Sequence, residues 1–345
     1  MNRMNISYVG EKVFVGIDVH LRFYQVTCYS EGIRVHKFRC NAVPGELAYS
    51  LQKMFRGAKI ESCYETGFSG FVLHRTLCSA GIRNRVVNAG DVETSSRKDK
   101  TDKRDSDKLA QQLMGRRLKG IAVPSEEQEL ARQLTRVREQ LMRKRTSTKN
   151  QIRMRFHYFG LLAYSEKREM SFSLVQEVLE KVDAPELLIS TEVLVETWRS
   201  LDQQLKRINN ELKYQAENDE FEAMYRKLPG VGPLSSRVLS NELGDLRKFP
   251  SMKALYRFTG LTPSEYSSGE SRHLGGISRE GNSRLRHVLV EAAWNALSKD
   301  KQLRQYFEKL TTRAGKKRAI VAVARKLIGR ARALFISGED YKLAA

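Results

Sequence analysis

The sequence has no run of about 18 consecutive apolar residues, the minimum for a membrane-spanning helix. Its first residues, MNRMNISYVGEK, lack the apolar core of a signal peptide. The four cysteines, Cys28, Cys40, Cys63 and Cys78, form no C-x-x-C pair, which argues against a zinc site and a disulfide framework. These absences predict a soluble, cytoplasmic protein without a membrane partner, whose reduced thiols mostly serve packing.

Acidic residues are also scarce. The 345 residues include 61 Lys and Arg but only 40 Asp and Glu, which gives a formal net charge of +21. This length is enough for two or three domains with their own cores. Basic clusters bind nucleic acid by releasing its counterions, so a nucleic-acid partner is expected. An anionic membrane surface is the competing interpretation, but no lipidation signal or long amphipathic terminus favours it.

Residues 11–120 alternate strand and helix patterns. VFVGIDV, FYQVTCYS and IRVHKFRC predict three strands, the last two joined by a turn at Gly32. A helix, a strand (KIESCYETG), a second helix and a strand (IRNRVVNAG) follow, which indicates an α/β domain with a mixed sheet. Asp18 lies on the first strand and Glu65 ends a later one. We therefore expect both at the carboxyl edge of the sheet, where ligands bind.

A third acidic segment, KTDKRDSDKLAQQLM, follows the predicted sheet. Asp102 and Asp105 are three residues apart, so a helix places them on one face. With Asp18 and Glu65 they could form an oxygen cage for Mg²⁺ or Mn²⁺, and two such ions about 4 Å apart could polarise a scissile phosphate. The alternative is a solvated helix whose acids pair with the neighbouring Lys and Arg. Spacing alone does not exclude Asp99 and Asp107 as alternative metal ligands in the same segment.

The middle of the chain, residues 121–226, contains a strongly basic helix. Ser125, with Gln128 three residues on, predicts its start, and Leu130, Leu134, Val137, Leu141 and Ile152 are expected to form its apolar stripe. Between residues 132 and 155 it carries nine Lys and Arg but one acid, where a merely solvated helix would mix the two signs. We therefore expect nucleic-acid contacts from Arg132, Arg136, Arg143, Lys144, Arg145, Lys149 and Arg153.

A second long helix has a heptad pattern. Its apolar positions are spaced by four and three residues in turn: Leu194, Trp198, Leu201, Leu205, Ile208 and Leu212. The seam could pack against the basic helix within one chain, or it could join two chains in a coiled coil. The pattern does not distinguish these alternatives.

The C-terminal region, residues 227–345, offers two further candidate sites. KLPGVGPLSSRVL resembles a helix-hairpin-helix, in which Gly230 and Gly232 would let backbone N–H groups approach a phosphate. Next, YSSGESRHLGGISREGNSRLR carries Ser268 before Gly269, and its cations Arg272, Arg279 and Arg284 could hold a DNA strand. A serine on a tight glycine turn can serve as a nucleophile. The competing interpretations are an ordinary helix start and a surface loop without chemistry.

Taken in order, GIDVH, YETG, KTDKRDSDKLA, LPGVGP, FTGLTP-x-x-Y-x-SG and GGISREGNSRLR resemble the DEDD-type insertion-sequence transposases across nearly the whole chain. These are described as bridge-RNA-guided serine recombinases and are related to pilin-gene invertases. The resemblance implies an α/β plus α fold. A RuvC-like (RNase H-like) domain spans residues 1–120, a basic helical and coiled-coil region 121–226, and a C-terminal transposase domain 227–345.

The resemblance also implies roles for residues and partners. Asp18, Glu65, Asp102 and Asp105 become the metal-binding and catalytic acids, and Ser268 the catalytic nucleophile, although Ser267 and Ser271 lie close by. The implied partners are a guide RNA, donor and target DNA and further copies of the chain, as a dimer or tetramer in the bacterial cytoplasm, associated with the nucleoid. The segment around Ser268 offers Arg272 and Arg279 but no obvious general base, so we expect the metal site to activate the serine.

Two other functions remain open at this point. A RuvC-like metal-dependent nuclease acting on branched DNA would need the four acids but no serine. A non-catalytic nucleic-acid-binding regulator would need only the basic helices.

Overall fold

The computed structural model describes residues 7–92, 102–268, 271–278, 280–338 and 341. The side chains of 91, 102–104, 265–268 and 271–274 lie outside this description, as does all of Asp99. The chain divides into two compact units, Met1–Pro124 and Ser125–Ala345. None of the helices among the described residues combines the length and apolar composition that a membrane span needs.

The first unit is built on a five-stranded mixed sheet. Its strands are β1 (Lys12–Val19), β2 (Phe23–Ser30), β3 (Ile33–Asn41), β4 (Lys59–Glu65) and β5 (Arg83–Val87). They lie in the order β3-β2-β1-β4-β5; β1, β2 and β3 are antiparallel neighbours, whereas β4 is parallel to β1 and β5 to β4. The predicted strands, their order along the chain and the turn at Gly32 are confirmed.

Three helices cover the two faces of this sheet. Helices α1 (Pro44–Met54) and α2 (Val72–Ser79) bury Leu47, Leu51, Leu73 and Leu77 with the side chains of Val13, Val15 and Ile17. The opposite face carries α3 (Asp102–Met114), whose Leu109 and Leu113 pack with Phe14, Cys63 and Val87. A short 3₁₀ turn, Ala89–Asp91, follows β5.

All four cysteines are free thiols, as predicted. Cys28 and Cys63 are buried in the two cores of this unit, and burial raises the pKa of both, that of Cys28 to about 12. Cys40 is half-buried and Cys78 is exposed. Packing therefore accounts for the two buried thiols.

The second unit begins with two long antiparallel helices, α4 (Glu126–Tyr158) and α6 (Pro185–Ala216), separated by α5 (Phe172–Leu179). Ser125 caps α4 by accepting a hydrogen bond from the backbone N–H of Gln128 at 3.2 Å, as predicted. Leu201 and Leu205 of the heptad seam pack on Leu141 of α4, and Trp198 packs on Ile152 and Phe156. The seam is therefore filled within the chain, which is the first of the two alternatives.

The predicted apolar stripe of α4 is wrong in its first half. Leu130 is 65% exposed and Val137 39% exposed, whereas Thr135, Leu141, Thr148, Ile152 and Phe156 are buried. Near its start α4 packs against a later helix through Arg132 and Arg136, which bond to that helix's buried Glu242. At about 100° per residue, Arg132 and Arg136 lie on the side of the helix opposite Leu130 and Val137. The first half of α4 therefore buries a polar face and leaves the predicted apolar face exposed.

The rest of the unit is mainly helical. It contains α7 (Glu220–Arg226), α8 (Pro233–Leu243), a 3₁₀ turn (Leu246–Lys248), α9 (Met252–Thr259), α10 (Ser283–Ala296), α11 (Lys301–Ala314) and α12 (Lys316–Ser337). Between α9 and α10 lies a two-stranded hairpin of β6 (Pro263–Ser268) and β7 (Ser271–Ile277). One core, which includes Tyr225, Leu239, Leu285 and Leu327, joins these helices.

Candidate functional site

Two of the four predicted acids project from neighbouring strands. In the parallel pairing of β1 and β4, Ile17 lies opposite Tyr64, and Asp18 and Glu65 are the next residues on their strands. Side chains alternate between the faces of a sheet, so both carboxylates belong to the face that α3 covers. Adjacent strands are about 4.8 Å apart. The register therefore brings Asp18 and Glu65 to the same carboxyl edge, as the sequence predicted.

The helix that carries the other two acids rests directly on β1. A Cβ atom at Gly16 would overlap the carbonyl oxygen of Ser106 and lie 2.5 Å from the backbone nitrogen of Ala110. The hydroxyls of Thr27 and Ser106 are 2.9 Å apart and are buried. Only glycine allows this approach, and it fixes the position of α3 over the middle of β1.

The contacts of α3 also indicate its direction. Ser106 meets Thr27, which lies opposite Gly16, whereas Gln111 donates to the hydroxyl of Tyr29, which lies opposite Phe14 and farther from Asp18. The first turn of α3, with Asp102 and Asp105, is thus on the side of the carboxyl edge. Asp105 is half-buried and lies 3.8 Å from Lys108, while the side chain of Asp102 is outside the described residues.

Asp107 is engaged elsewhere. Its carboxylate accepts hydrogen bonds from Tyr29 at 3.0 Å and from Gln111 at 3.2 Å, and it lies 3.6 Å from Arg34. This residue ties α3 to β2 and β3. The other acid that spacing could not separate, Asp99, lies outside the described residues.

A histidine that the predicted site did not include touches the first acid. His20 Nε2 lies 3.1 Å from Asp18 Oδ2, and its ring stacks on Phe23 with centroids 4.4 Å apart. The signal was present in VGIDVH, because a residue two positions after Asp18 on an extended chain returns to the same side.

The donor set suits a hard divalent cation. Carboxylate oxygens from two strands and a helix are the ligands that Mg²⁺ and Mn²⁺ prefer. Among the described residues, no three His, Cys, Asp or Glu side chains are grouped to hold a metal ion. Asp18, Glu65 and Asp105 are described, so the structure does not gather these three into a formed metal site, and the side chain of Asp102 lies outside the description. The type of donor fits Mg²⁺, and the strand register brings two of the four acids, Asp18 and Glu65, side by side.

Ser268 lies on the hairpin rather than in the loop that the sequence suggested. It is the last residue of β6 and pairs with Ser271, the first residue of β7. Nearer the base, the hydroxyl of Ser264 donates to the carbonyl of Gly276 at 3.0 Å. The side chains of Ser267, Ser268 and Arg272, and all of Arg279, are outside the described residues.

Residues after the hairpin secure its connection to the core. The backbone N–H of Asn282 donates to the carbonyl of Phe258, and the Asn282 side chain accepts the N–H groups of Arg284 and Leu285 at the start of α10. Its amide also donates to Glu242 at 2.8 Å.

That glutamate is the partner of two predicted nucleic-acid contacts. Glu242 is 1% exposed and receives two hydrogen bonds from Arg136, at 2.9 and 3.0 Å, while Arg132 donates to its carbonyl at 2.8 Å. Hydrogen bonds to Glu242 raise the pKa of Arg136, and burial lowers that of Arg132. Both arginines thus join α4 to α8 inside the unit.

Four further predicted cations of α4 also have partners within the chain. Arg145 bonds to Asp202 at 3.1 Å, Lys149 to Glu169 at 2.7 Å, and Arg153 to the carbonyls of Glu166 and Arg168. Arg143 bonds to Glu139, which also accepts from Arg284 at 2.6 Å. Lys144 is exposed. The charge that α4 can offer to nucleic acid is much smaller than its composition suggests.

Arg143 and Arg284 come together at a groove of about 1080 Å³ between α4, α8 and α10. Its lining also includes Met142, Leu234 and Val238. Distant parts of the sequence therefore bring two of the predicted cations to one place, with Glu139 between them.

The two glycines of the α7–α8 hairpin differ in their surroundings. Gly230 is buried, and a Cβ there would overlap the carbonyl oxygen of Ala292 on α10. Gly232 precedes α8 with open space around it. The need for glycine at 230 is thus explained by helix packing, not by the phosphate approach that the sequence suggested.

Comparisons with known proteins identify a family for two parts of the chain. A family model described as a transposase of DEDD type, from the IS110 group, matches residues 15–156, and one described as the transposase IS116/IS110/IS902 family matches residues 223–308. The first includes Asp18, Glu65, Asp102 and Asp105; the second includes Ser268. The five-stranded mixed sheet is compatible with an RNase H-like transposase domain.

Curated relatives extend the similarity over most of the chain. The transposase for insertion sequence element IS1111A of Coxiella burnetii is 28% identical over 283 residues, 79% of this chain and 76% of the relative. The transposase y4rJ of Sinorhizobium fredii is 29% identical over 360 aligned positions, 92% of this chain and 90% of the relative. The transposase for IS1328 of Yersinia enterocolitica is 26% identical, with 68% of this chain and 69% of the relative covered. The chain therefore belongs to the IS116/IS110/IS902 family of insertion-sequence transposases, enzymes that act on DNA.

Proposed function

We propose that the protein cuts and exchanges DNA strands at the ends of an insertion sequence, using a carboxylate edge formed by Asp18, Glu65, Asp102 and Asp105. The observation that carries this proposal is the parallel register of β1 and β4, which puts Asp18 and Glu65 next to each other on the face under α3. Mg²⁺ held there would supply charge neutralisation and polarisation of the scissile phosphate.

The chain's own contribution is a rigid frame for these acids. Gly16 and the Thr27–Ser106 hydroxyl pair fix α3 against β1, and Asp107 fixes it against β2. Catalytic groups held in place before the reaction need no reorganisation during it, and this lowers the barrier. The frame thus supports phosphoryl transfer at the edge.

Ser268 is proposed as the nucleophile. Its hydroxyl oxygen would attack the phosphorus and form a phosphoserine bond while the bond from phosphorus to the leaving sugar oxygen breaks. The serine proton passes to a base, and the leaving oxygen takes up a proton. The hydroxyl of a partner DNA end then attacks the phosphoserine, joins the strands and releases serine. In support, Ser268 ends a strand of a hairpin that is anchored at its base.

A second candidate is cleavage by the acids without a serine step, as in a metal-dependent nuclease for branched DNA. The match of residues 15–156 to a transposase model named for its DEDD acids favours it. The two mechanisms share the carboxylate edge and differ in whether protein and DNA become covalently joined.

One assay tests both mechanisms with three variants of the full chain on DNA carrying the element's ends. Glu65→Gln should reduce strand cleavage by at least about 100-fold, because it removes a charged ligand from a site worth several kcal/mol. Ser268→Ala should abolish both cleavage and a protein–DNA adduct on denaturing gels. Asp107→Asn, the matched loss of one charge from α3, should still cut.

The outcomes separate the candidates. Cleavage by Ser268→Ala without an adduct would reject the serine mechanism and favour the nuclease. Full cleavage by Glu65→Gln would reject the carboxylate edge itself. DNA binding by each variant, measured without metal, should stay within a few-fold of the parent.

We also propose that the protein works with a guide RNA that pairs with donor and target DNA, in a dimer or tetramer. The ordered motifs and the net charge of +21 support this. RNA extracted from the purified protein should be one species encoded beside the element, and light scattering with RNA and DNA should show more than one copy. Heterogeneous RNA, or a monomer under these conditions, would contradict it.

A further inference from the structure

The last two helices carry most of the net positive charge of the second unit. Residues 301–337, which form α11 and α12, contain eleven Lys and Arg and a single acid, Glu308, a net charge of +10. Residues 125–300, by contrast, contain 28 Lys and Arg and 25 acids. The family model for the C-terminal region ends at residue 308, before most of these cations.

Five of the cations surround the joint between the two helices. We call Lys309, Arg313, Lys316, Lys317 and Arg318 the junction cluster; all five side chains are exposed. No ion pair joins any of them to a carboxylate in the part of the chain that the structure describes. The cations of α4 differ, because Arg136, Arg145 and Lys149 are already neutralised by acids.

The fold holds this cluster in place. Gly315, with φ at +77°, ends α11 and immediately begins α12, so no loop separates the helices. The opposite face of α12 is buried through Ile320, Val323 and Leu327. The backbone positions of Lys316, Lys317 and Arg318 are therefore held in place by the core.

This placement is unfavourable for the isolated protein. Lys316, Lys317 and Arg318 form the first turn of α12, which has no acidic residue. The helix dipole makes the N-terminus partly positive, so cations there are repelled by the helix as well as by one another. A bound polyanion would relieve both repulsions.

We propose that the junction cluster binds the phosphate backbone of duplex DNA. The choice of DNA as the partner rests on the proposed function. Single-stranded nucleic acid is gripped by stacking its bases on exposed aromatic rings, and the cluster has none. An amphipathic helix binds a membrane by inserting its apolar face, but the apolar face of α12 is in the core. Duplex DNA, with one charge per about 1.7 Å of its axis, matches a purely cationic surface.

The test compares two triple variants of the full-length protein. Lys316→Gln with Lys317→Gln and Arg318→Gln removes three charges from the cluster. The matched control, Lys206→Gln with Arg207→Gln and Lys213→Gln, removes three charges from exposed positions on α6. Binding to a labelled 30-base-pair duplex is measured by fluorescence anisotropy in EDTA over a range of salt, so that no cleavage step enters.

The junction variant should bind the duplex roughly 10- to 100-fold more weakly than the parent near 0.15 M salt. The magnitude of its slope of log affinity against log salt should fall by about 2 to 3, since each lost phosphate contact reduces that slope by about 0.9. The α6 variant should change affinity less than about two-fold. A charge-preserving variant, Lys316→Arg with Lys317→Arg and Arg318→Lys, should bind as the parent does. Thermal melts should confirm that all three are folded.

If the junction and α6 variants weaken duplex binding equally, the inference is overturned. It is also overturned if the junction variant loses affinity for a structured RNA but keeps its affinity for the duplex. Either result would leave the proposed cutting reaction intact. If Glu65→Gln still cuts DNA while the junction variant binds poorly, the proposed function fails and the inference stands.

Discussion

Single residues decide whether the acids of the first unit can act together. Gly16 is the clearest case, because any side chain there would collide with the backbone of α3. Asp18 and Glu65 are aligned by strand register, and Asp107 is occupied by Tyr29 and Gln111. On this face of the sheet, Asp107 therefore holds α3 in place, while the strand register sets Asp18 and Glu65 side by side.

Buried and half-buried acids of the second unit are bound to arginines. Asp219 is hydrogen bonded to Arg237, to the hydroxyl of Ser240 at 2.7 Å and to the backbone N–H of Glu222 at 2.9 Å. Burial by itself would raise the pKa of Asp219, but these hydrogen bonds and the charge of Arg237 outweigh it and lower the pKa below its usual value. The ionised form is thus the one that the fold stabilises.

This sets a pH dependence. The pKa of Asp219 is lower in the folded protein than in the unfolded chain, where it is about 3.9. The contribution of Asp219 to the free energy of unfolding is therefore complete above the unfolded-state pKa and is lost as the pH falls through the folded-state pKa. Asp219→Asn should cost about 2 kcal/mol of unfolding free energy at pH 7, and the difference from the parent should shrink below about pH 4. Denaturant unfolding at several pH values measures this.

Asp183→Asn, at an exposed position between α5 and α6, is the control and should leave stability unchanged at every pH. A cost for Asp219→Asn that stays constant from pH 7 to pH 3 would show that the ionised carboxylate is not the stabilising form.

At the scale of elements, regular patterns were read correctly from sequence. The strands of the first unit have β-branched and apolar runs, and the α6 seam has unbroken heptad spacing, so both could be predicted from local residues. The β6–β7 hairpin was missed because its residues are Ser, Gly and charged, without the alternation of apolar and polar residues that marks a strand.

Charge on an element was harder to interpret than its secondary structure. Nine cations on α4 suggested a surface for nucleic acid. Four of them, Arg132, Arg136, Arg145 and Lys149, bond instead to Glu242, Asp202 and Glu169, which lie on or between other helices. Such pairs depend on tertiary contacts and leave no local signal. The junction cluster has a similar composition and remains exposed, so only the structure distinguishes the two.

The same limit applies to the candidate site. The sequence predicted that Asp18 and Glu65 lie at one edge, because both end strand patterns. It could not show that α3 crosses Gly16, that Asp107 belongs to a different contact, or that His20 meets Asp18. Each of these depends on the register between segments far apart in sequence.

At the scale of the whole molecule, each unit closes its own core. Among the described residues, every hydrophobic cluster lies entirely within residues 1–124 or entirely within 125–345. The sequence had suggested a further boundary at residue 226. Across that boundary, Tyr225 shares a core with Phe335, and Arg132 and Arg136 bond to residue 242.

These contacts predict which fragments fold. Residues 125–345 alone should unfold cooperatively and bind duplex DNA with the salt dependence that the junction cluster confers, since the fragment keeps its core and all five of those cations. Residues 227–345 should fold poorly, because they lack Tyr225 from the shared core and the two arginines of α4 that bond to Glu242. Circular dichroism melts and anisotropy measure both properties. A cooperative melt of the shorter fragment would place a further structural boundary at residue 226. An unfolded longer fragment would show that residues 125–345 do not form an independent folding unit.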